Sequence, residues 1–333
     1  METFVIAEAG ANHNRDIKNA FALIDAAKNA GATAVKFQTY SSETLYCKNT
    51  KDFAGYKNIN KLIKDIELPR SWQKELKMYC DDTGIEFMST PFDEAAVDEL
   101  VSLGVKRLKI AGFESTDPRF VKMVASTGLP LIISAGIGNN INSISRIIFW
   151  VHEVQSNPDI TILHCNNAYP TPNEDICLKT VRRIKNNFPF IRVGLSDHTE
   201  EILTPAFAIH QGATCIEKHF TLSKKMIGPD HPFALEPDQL KEMIDMIKLA
   251  ETMNRENKKV ITASEAPFEN AMRSVVSSRT IEEGETITLE NITTMRPKTK
   301  NSIPAEDFYR TIGKKAIKKI EANTVLNRGD VNV

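Results

Sequence analysis

Along most of the chain a short apolar run alternates with a longer segment whose apolar residues recur every three or four positions. Eight of the short runs read as strands: Phe4 to Ala7, Ala34 to Phe37, Glu86 to Ser89, Arg107 to Ile110, Leu131 to Ser134, Thr161 to Cys165, Arg192 to Leu195 and Thr214 to Glu217. The segments between them have helical spacing, as in Ala20, Leu23, Ile24 and Ala27, or Ala96, Val97, Leu100 and Val101, or Leu240, Met243, Ile244 and Ile247. Stop signals follow several, at Gly31, Gly84, Gly104, Gly128 and Gly212. Strict alternation predicts a parallel sheet. Eight units in about 250 residues predict an α/β fold closed as a (β/α)8 TIM barrel. No Gly-x-Gly-x-x-Gly follows the first strand, which weakens a dinucleotide-binding open sheet.

The alternation stops at Asn254 to Lys259, a run of charged and amide residues. The predicted division is a barrel domain over 1–258, a linker over 259–271 and a small β-rich module over 272–333. In that module Ser274 to Ser277, Glu285 to Thr288 and Thr311 to Ile317 are separated by turn signals at Glu283-Gly284 and Arg328-Gly329-Asp330. The loop from Thr39 to Pro69 is long and polar, so it is read as a substrate lid or as disordered, with a short helix over Ile59 to Ile66.

In a barrel of this kind the chemistry lies where strands end. A polar group follows every apolar run here: Glu8, Asn12 and His13; Lys36 and Gln38; Thr90; Lys109, with Glu114 beyond; Ser134; Asn166, Asn167 and Tyr169; Ser196, Asp197 and His198; Glu217 and His219. The last two strands each end in a histidine beside a carboxylate, in Ser196-Asp197-His198-Thr199 and Glu217-Lys218-His219-Phe220-Thr221. Adjacent strands therefore offer two imidazoles at one end, which is how a divalent metal with open coordination positions is commonly held. Either histidine alone reads as a hydrogen-bonded core residue. Side-chain alternation puts Glu217 and His219 on one face and Lys218 on the other. Lys36 and Lys109 lie inside strand patterns, where an ammonium needs an anionic partner. Two readings stay open for them. With the hydroxyls of Thr90, Ser134 and Ser196 they cradle phosphate and carboxylate groups, or they form internal salt bridges to Glu8 or Glu217.

Composition narrows the partners. With 42 Lys and Arg against 43 Asp and Glu the net charge is -1, so no global field favours nucleic acid or an anionic membrane. The N-terminal stretch lacks the basic start and apolar run of a signal peptide, and no uncharged stretch reaches the roughly 18 residues of a membrane helix. A cytoplasmic protein is expected. The five cysteines show no Cys-x-x-Cys spacing, and Cys165 and Cys215 fall inside strands, so reduced, buried thiols are expected.

Taken in order, several motifs form a specific series. They are Ala7-Glu8-Ala9-Gly10-Ala11-Asn12-His13-Asn14, Val35-Lys36-Phe37-Gln38, Ser89-Thr90-Pro91-Phe92-Asp93, Leu108-Lys109-Ile110-Ala111 and Tyr169-Pro170-Thr171-Pro172. The two histidine motifs and Gly228-Pro229-Asp230-His231 complete it. Over essentially its whole length the chain resembles the sialic acid synthase family. Its tail resembles the SAF, or antifreeze-like, β-clip domain of that family, through Ser274-Val275-Val276, Ile281-Glu282-Glu283-Gly284-Glu285, Arg296-Pro297 and Ile312-Gly313-Lys314-Lys315-Ala316.

The resemblance implies condensation of phosphoenolpyruvate with an open-chain N-acetylated hexosamine, N-acetylmannosamine or the legionaminate precursor. The product is a nonulosonic acid, and phosphate leaves by C–O cleavage. It implies His198 and His219 as ligands of Mn2+, or else Mg2+ or Co2+. Lys36, Thr90, Lys109, Ser134, Asn167, Tyr169 and Ser196 are the implied phosphoenolpyruvate contacts, and Gln38, Glu114, Asp230 and Arg296 the sugar contacts. Glu8 and Glu217 are the catalytic carboxylates, one of them the base. It also implies a homodimer with swapped C-terminal domains, in which Arg296 reaches the sugar's acyl-amino group in trans.

The chain departs from the family at Ala111-Gly112-Phe113-Glu114, where many relatives have Gly-Ser-Gly-Glu or Ala-Ser-Gly-Glu. One phosphate-binding hydroxyl is missing, for which Ser115 or backbone N–H groups would compensate. Phe113 beside Glu114 resembles pseudaminate synthases, whereas Gly228-Pro229-Asp230-His231 and Leu235-Glu236-Pro237 resemble the sialate and legionaminate branches. The rival readings are a pseudaminate or spore-coat-type synthase, a metal-dependent hydrolase or aldolase working without phosphoenolpyruvate, and a carbohydrate-binding protein without turnover. The joint presence of Lys36, Lys109, His198, Glu217 and His219 argues against the last.

Overall fold

The computed structural model describes residues 2–53, 55–255 and 259–332, and the chain divides into two compact units, Met1–Arg255 and Glu256–Val333. The first unit begins β1 (Phe4–Glu8), α1 (Ile17–Ala30), β2 (Ala34–Thr39), α2 (Ile59–Ile66), α3 (Gln73–Thr83), β3 (Glu86–Pro91), α4 (Glu94–Ser102) and β4 (Leu108–Ile110). It continues with α5 (Pro118–Ala125), β5 (Leu131–Ala135), α6 (Ile141–His152), β6 (Ile160–Cys165), α7 (Lys179–Asn187), β7 (Arg192–Asp197), α8 (Thr204–His210), β8 (Cys215–His219) and α9 (Pro237–Met253). The helices follow from the local sequence. In α1, Asp16 caps the first turn by accepting from the Lys18 N–H, Ala20, Leu23, Ile24 and Ala27 are buried on one stripe, and Gly31 closes the helix at φ +89°.

All eight strands are parallel, in the order β3-β2-β1-β8-β7-β6-β5-β4. The end strands β3 and β4 lie side by side, which closes the TIM-type barrel. Lumen-facing residues form two layers. Ile6, Ala34, Met88, Ile132, Leu163 and Cys215, with Phe4, fill the lower part as an apolar plug. Two residues further along the same six strands, Glu8, Lys36, Thr90, Ser134, Cys165 and Glu217 stand above it around a cavity. On β7 the plug layer has Gly194, because a Cβ there would meet the Cys215 carbonyl oxygen at 2.1 Å and Leu163 at 2.6 Å.

Six of the eight strands run one or two residues past the ends of the apolar runs; β7, for example, includes Ser196 and Asp197, and β8 extends to His219. Most of the extra residues, among them Glu8, Thr39, Thr90, Ser196, Asp197 and His219, are polar yet buried, so hydropathy hides their strand character. The loop between β2 and α3 contains the expected helix α2 and a small core of its own, with Tyr40, Ile59 and Ile63 packed against Leu45, Tyr46, Leu62, Ile66 and Phe92. No helix among the described residues is long and apolar enough to cross a membrane.

The second unit pairs β9 (Ser274–Ser277) with β10 (Ile292–Met295) antiparallel, around a core that includes Val275, Ile281, Ile287, Ile320 and Leu326. The runs Glu285 to Thr288 and Thr311 to Ile317 do not form ladder strands as expected. They pair around the isolated bridge Thr286–Lys315, through hydrogen bonds from the Ala316 N–H to the Glu285 carbonyl and from the Ile287 N–H to the Lys314 carbonyl, and Thr311 closes a one-turn helix, α10 (Phe308–Thr311). The predicted boundary at residue 258 falls on 256–258, which lie outside the described residues.

Candidate active site

The cavity above the plug is small, about 40 Å³. Its lining brings together Glu8, Lys36, Gln38, Thr90, Lys109, Ser134, Asn167, Tyr169, Ser196, His198, Glu217 and His219, all named from the sequence. Four of these are charged and buried: Glu8, Lys36, Lys109 and Glu217. Lys36 Nζ lies 2.6 Å from Glu8 Oε2 and 3.8 Å from Glu217 Oε2, while Lys109 Nζ lies 3.6 Å from Glu217 Oε1. The internal salt bridges are therefore present, and the same lysines face the cavity. Lys36 donates to Thr90 Oγ1 at 2.8 Å, Lys109 to Ser134 Oγ at 2.8 Å, Gln38 Nε2 to Glu8 Oε1 at 2.9 Å and Ser196 Oγ to Glu217 Oε1 at 3.1 Å.

The two carboxylates differ in environment. Burial is the largest influence on Glu8 and raises its proton affinity above the usual carboxylate range, with Lys36 pulling only part of the way back. Burial also opposes ionisation of Glu217, but Lys109 and Lys36 together outweigh it and hold that carboxyl below its ordinary value. One carboxyl is thus poised to take a proton while the other stays charged.

His198 and His219 face each other with ring centroids 5.5 Å apart, and the Tyr169 ring packs on His198 at 4.1 Å. The His198 Nδ1–H donates to the Asn166 carbonyl at 2.6 Å, which leaves Nε2 with a free lone pair. His219 Nδ1 is buried without a hydrogen-bond partner, 3.8 Å from Asp230 Oδ2. Burial pushes His198 down to about 4 and His219 well below the ordinary imidazole value, so both are neutral at pH 7. Two neutral imidazoles facing one another suit a divalent ion with open positions. Among the described residues no group of three or more His, Cys, Asp or Glu side chains is placed to hold a metal ion, so the facing pair of imidazoles is what the chain offers one.

The remaining candidates lie elsewhere. Asp230 is outside the cavity lining, where its Oδ2 accepts from the Ala11 N–H at 3.4 Å, and burial raises it to about 6. Glu114 stands in a short 3-10 turn, Glu114–Thr116, with a buried Oε2 that has no partner, and burial raises its proton affinity. Arg296 belongs to the second unit and is exposed. Asn12 and His13 do not line the cavity. Asn12 donates to the Phe220 carbonyl at 2.8 Å, and His13 packs against Phe37 and Trp72.

Ala111, Gly112 and Cys165 also line the cavity, though none was named as a site residue and Gly112 was singled out only for its missing hydroxyl. Cys165 was legible, since it lies two residues beyond the lumen-facing Leu163 on β6. The glycine at 112 has a local cause. A Cβ there would stand 2.9 Å from Asn167 Oδ1 and one at Gly136 only 1.9 Å, so the Asn167 amide fills the space a serine would take. That oxygen accepts from the Ile137 N–H at 2.7 Å. Ser115 does not compensate for the missing hydroxyl, because it is fully buried and spends its own on the Gly112 carbonyl at 2.9 Å.

Comparison with known proteins gives a consistent picture. The NeuB family model matches residues 23–259 and the SAF domain model residues 272–332. The chain is 37% identical over 338 residues to the N,N'-diacetyllegionaminic acid synthase of Legionella pneumophila, covering 98% of this chain and 94% of that one. It is 33% identical over 341 residues to a pseudaminic acid synthase of Campylobacter jejuni, covering 99% and 96%. Among solved structures, the spore coat polysaccharide biosynthesis protein spsE of Bacillus subtilis superposes with a TM-score of 0.68 at 33% identity, covering 100% of this chain and 96% of that one.

Proposed function

The chain belongs to the NeuB family, and on that premise we propose that it is a nonulosonate synthase, a transferase that joins phosphoenolpyruvate to an open-chain amino sugar through a new C–C bond. The observation that carries the chemistry is the composition of one cavity: two ammonium groups, two carboxyls of unlike proton affinity and two neutral imidazoles above an apolar floor.

In this reading Lys36 and Lys109 exchange carboxylate partners for the phosphate and carboxylate of phosphoenolpyruvate. Thr90, Ser134, Asn167, Tyr169 and Ser196 complete that cradle, and Gln38, Glu114 and Asp230 hold the sugar in register with it. A divalent ion held by His198 and His219, Mn2+ first and Mg2+ or Co2+ as alternatives, supplies Lewis-acid polarisation of the aldehyde when bound. The pair of the C2=C3 double bond of phosphoenolpyruvate forms the bond from C3 to the aldehyde carbon and leaves C2 electron-deficient, while the aldehyde's C=O π pair moves to its oxygen, which takes up a proton from solvent. Water then adds at C2 and gives a proton to a carboxylate. The C2 hydroxyl closes to the ketone and passes its proton to the leaving group as the bond from C2 to the phosphate oxygen breaks, and phosphate leaves. Glu8 is the better-suited acceptor, because burial favours its protonated form while Glu217 stays ionised between the lysines.

The reading includes a homodimer in which the C-terminal module of one chain serves the barrel of the other and supplies Arg296. The expected sugar is the legionaminate precursor or N-acetylmannosamine. Phe113-Glu114 supports the pseudaminate precursor as a second reading. The test is phosphate release from phosphoenolpyruvate with Mn2+ and each of these three sugars in parallel, with and without chelator. Release with one sugar, abolished by chelator, is expected. Silence with all three in folded, metal-loaded protein would transfer the case to a hydrolase, an aldolase or a binding protein.

A further inference from the structure

Asp197 on β7 and Lys218 on β8 are register partners, and each immediately precedes one histidine of the cavity. The pleat turns them away from the lumen, so that Ser196, Glu217 and the imidazoles face the cavity while Asp197 and Lys218 face the helix layer. They are 0% and 1% exposed. Lys218 Nζ lies 2.7 Å from Asp197 Oδ2, and it also donates to the Thr199 carbonyl and, at 3.3 Å, to Thr199 Oγ1. Asp197 Oδ1 accepts from the Thr199 N–H at 2.9 Å, and Thr199 Oγ1 lies 3.2 Å from Asp197 Oδ2 and 3.1 Å from Thr204 Oγ1 at the start of α8. No polar atom of this cluster is without a partner.

A buried ion pair at an apolar sheet–helix interface is a poor way to gain stability, since two well-packed apolar side chains commonly do as well or better. What it adds is direction. The pair joins the two strand ends and ties both to the first residue after His198, at the level where the imidazoles emerge. We infer that Asp197 and Lys218, through Thr199, are positioning residues that fix the separation and orientation of His198 and His219, and so set the affinity and geometry of the divalent site. The inference rests on the metal reading given under Proposed function. Neither residue lines the cavity, so neither touches substrate or metal.

The test uses the full chain with the double substitution Asp197→Leu and Lys218→Met, which removes both charges and leaves no buried ion unpaired. Mn2+ affinity is followed by electron paramagnetic resonance, and site geometry by the visible bands of bound Co2+. The double variant is expected to fold but to melt lower than the parent, because the buried Thr199 N–H and carbonyl lose their partners, to bind Mn2+ about tenfold or more weakly, and to shift the Co2+ bands. A folded variant that binds Mn2+ within about twofold of the parent, with unchanged Co2+ bands, overturns the inference. Should the double variant not fold, Thr199→Val carries the test, with weaker Mn2+ binding expected and unchanged affinity overturning it. His198→Ala and His219→Ala separate this from the metal reading. If they bind Mn2+ as the parent does, the metal reading fails. The positioning role is then judged on the ring 15N resonances of His198 and His219 in metal-free protein. These shift in the double variant if the inference holds and stay in place if it does not.

Discussion

The ammonium of Lys36 lies 2.6 Å from Oε2 of Glu8, with both groups buried on neighbouring strands at the floor of the cavity. Removing either partner has a different consequence. Glu8→Gln keeps the shape and leaves Lys36 near Glu217, so the fold is expected to survive while kcat for phosphate release falls by about 10²- to 10⁴-fold, without a rise in KM for phosphoenolpyruvate. Lys36→Met leaves a carboxyl buried without its cation, and is expected to lose about 3–5 kcal/mol of stability together with phosphoenolpyruvate binding. Steady-state kinetics and thermal denaturation check both. An unchanged turnover number in Glu8→Gln would remove Glu8 from the proton transfer and turn attention to Glu217→Gln.

Gly10 has φ +50°, and a Cβ there would stand 2.8 Å from Asp230 Oδ2 and 3.3 Å from His219 Cε1. Gly104 has φ +72° with nothing within 4 Å of the same point. Alanine at either site carries the left-handed penalty of about 1–2 kcal/mol, but only Gly10→Ala also pushes on the site. Both variants are expected to melt lower than the parent, Gly10→Ala by more, and only Gly10→Ala is expected to lose kcat/KM for the sugar. Equal activity in the two would show that Asp230 and His219 yield without consequence.

Much of this site was legible because a parallel barrel imposes simple rules. Once the eight apolar runs are placed, a step of two along a strand leads from the plug residue Ile6 to Glu8, from Ala34 to Lys36 and from Cys215 to Glu217. What stayed hidden depends on contacts between loops distant in sequence. The Asn166 carbonyl that holds His198 has no side-chain signature, and neither does the position of the Asn167 amide beside Gly112 and Gly136. The strand ends were underestimated for a related reason. Glu8, Gln38, Ser196 and His219 are polar because they face a functional lumen, and polarity reads as loop. In the second unit, runs with strand-like composition pair through a few hydrogen bonds around isolated bridges, since short segments around so small a core turn before a ladder can lengthen.

The thiols divide sharply. Cys47 and Cys177 are exposed, whereas burial pushes Cys80 and Cys215 up to about 12 and Cys165 up to about 11. The thiolate is the reactive form, so a bulky disulfide reagent at pH 8 should titrate two groups rapidly in folded protein and all five in denaturant. A third fast group, if protected by phosphoenolpyruvate, would mean that Cys165 is reached through the cavity.

If the C-terminal module acts in trans, the barrel and Arg296 of one active site come from different chains. Neither His198→Ala nor Arg296→Ala chains are then expected to be active alone, the first lacking an imidazole and the second lacking the guanidinium. Co-expressed in equal amounts with random pairing, half the dimers of a closed two-fold assembly are mixed, and in each of these one of two sites combines an intact barrel with an intact module. Activity should therefore recover to roughly one quarter of the parent value. Assembly in cis restores nothing, because each chain then keeps its own defect. Measuring phosphate release from the co-expressed pair, alongside each variant alone, decides between the two arrangements without any assumption about which sugar is used, provided the same sugar is supplied throughout.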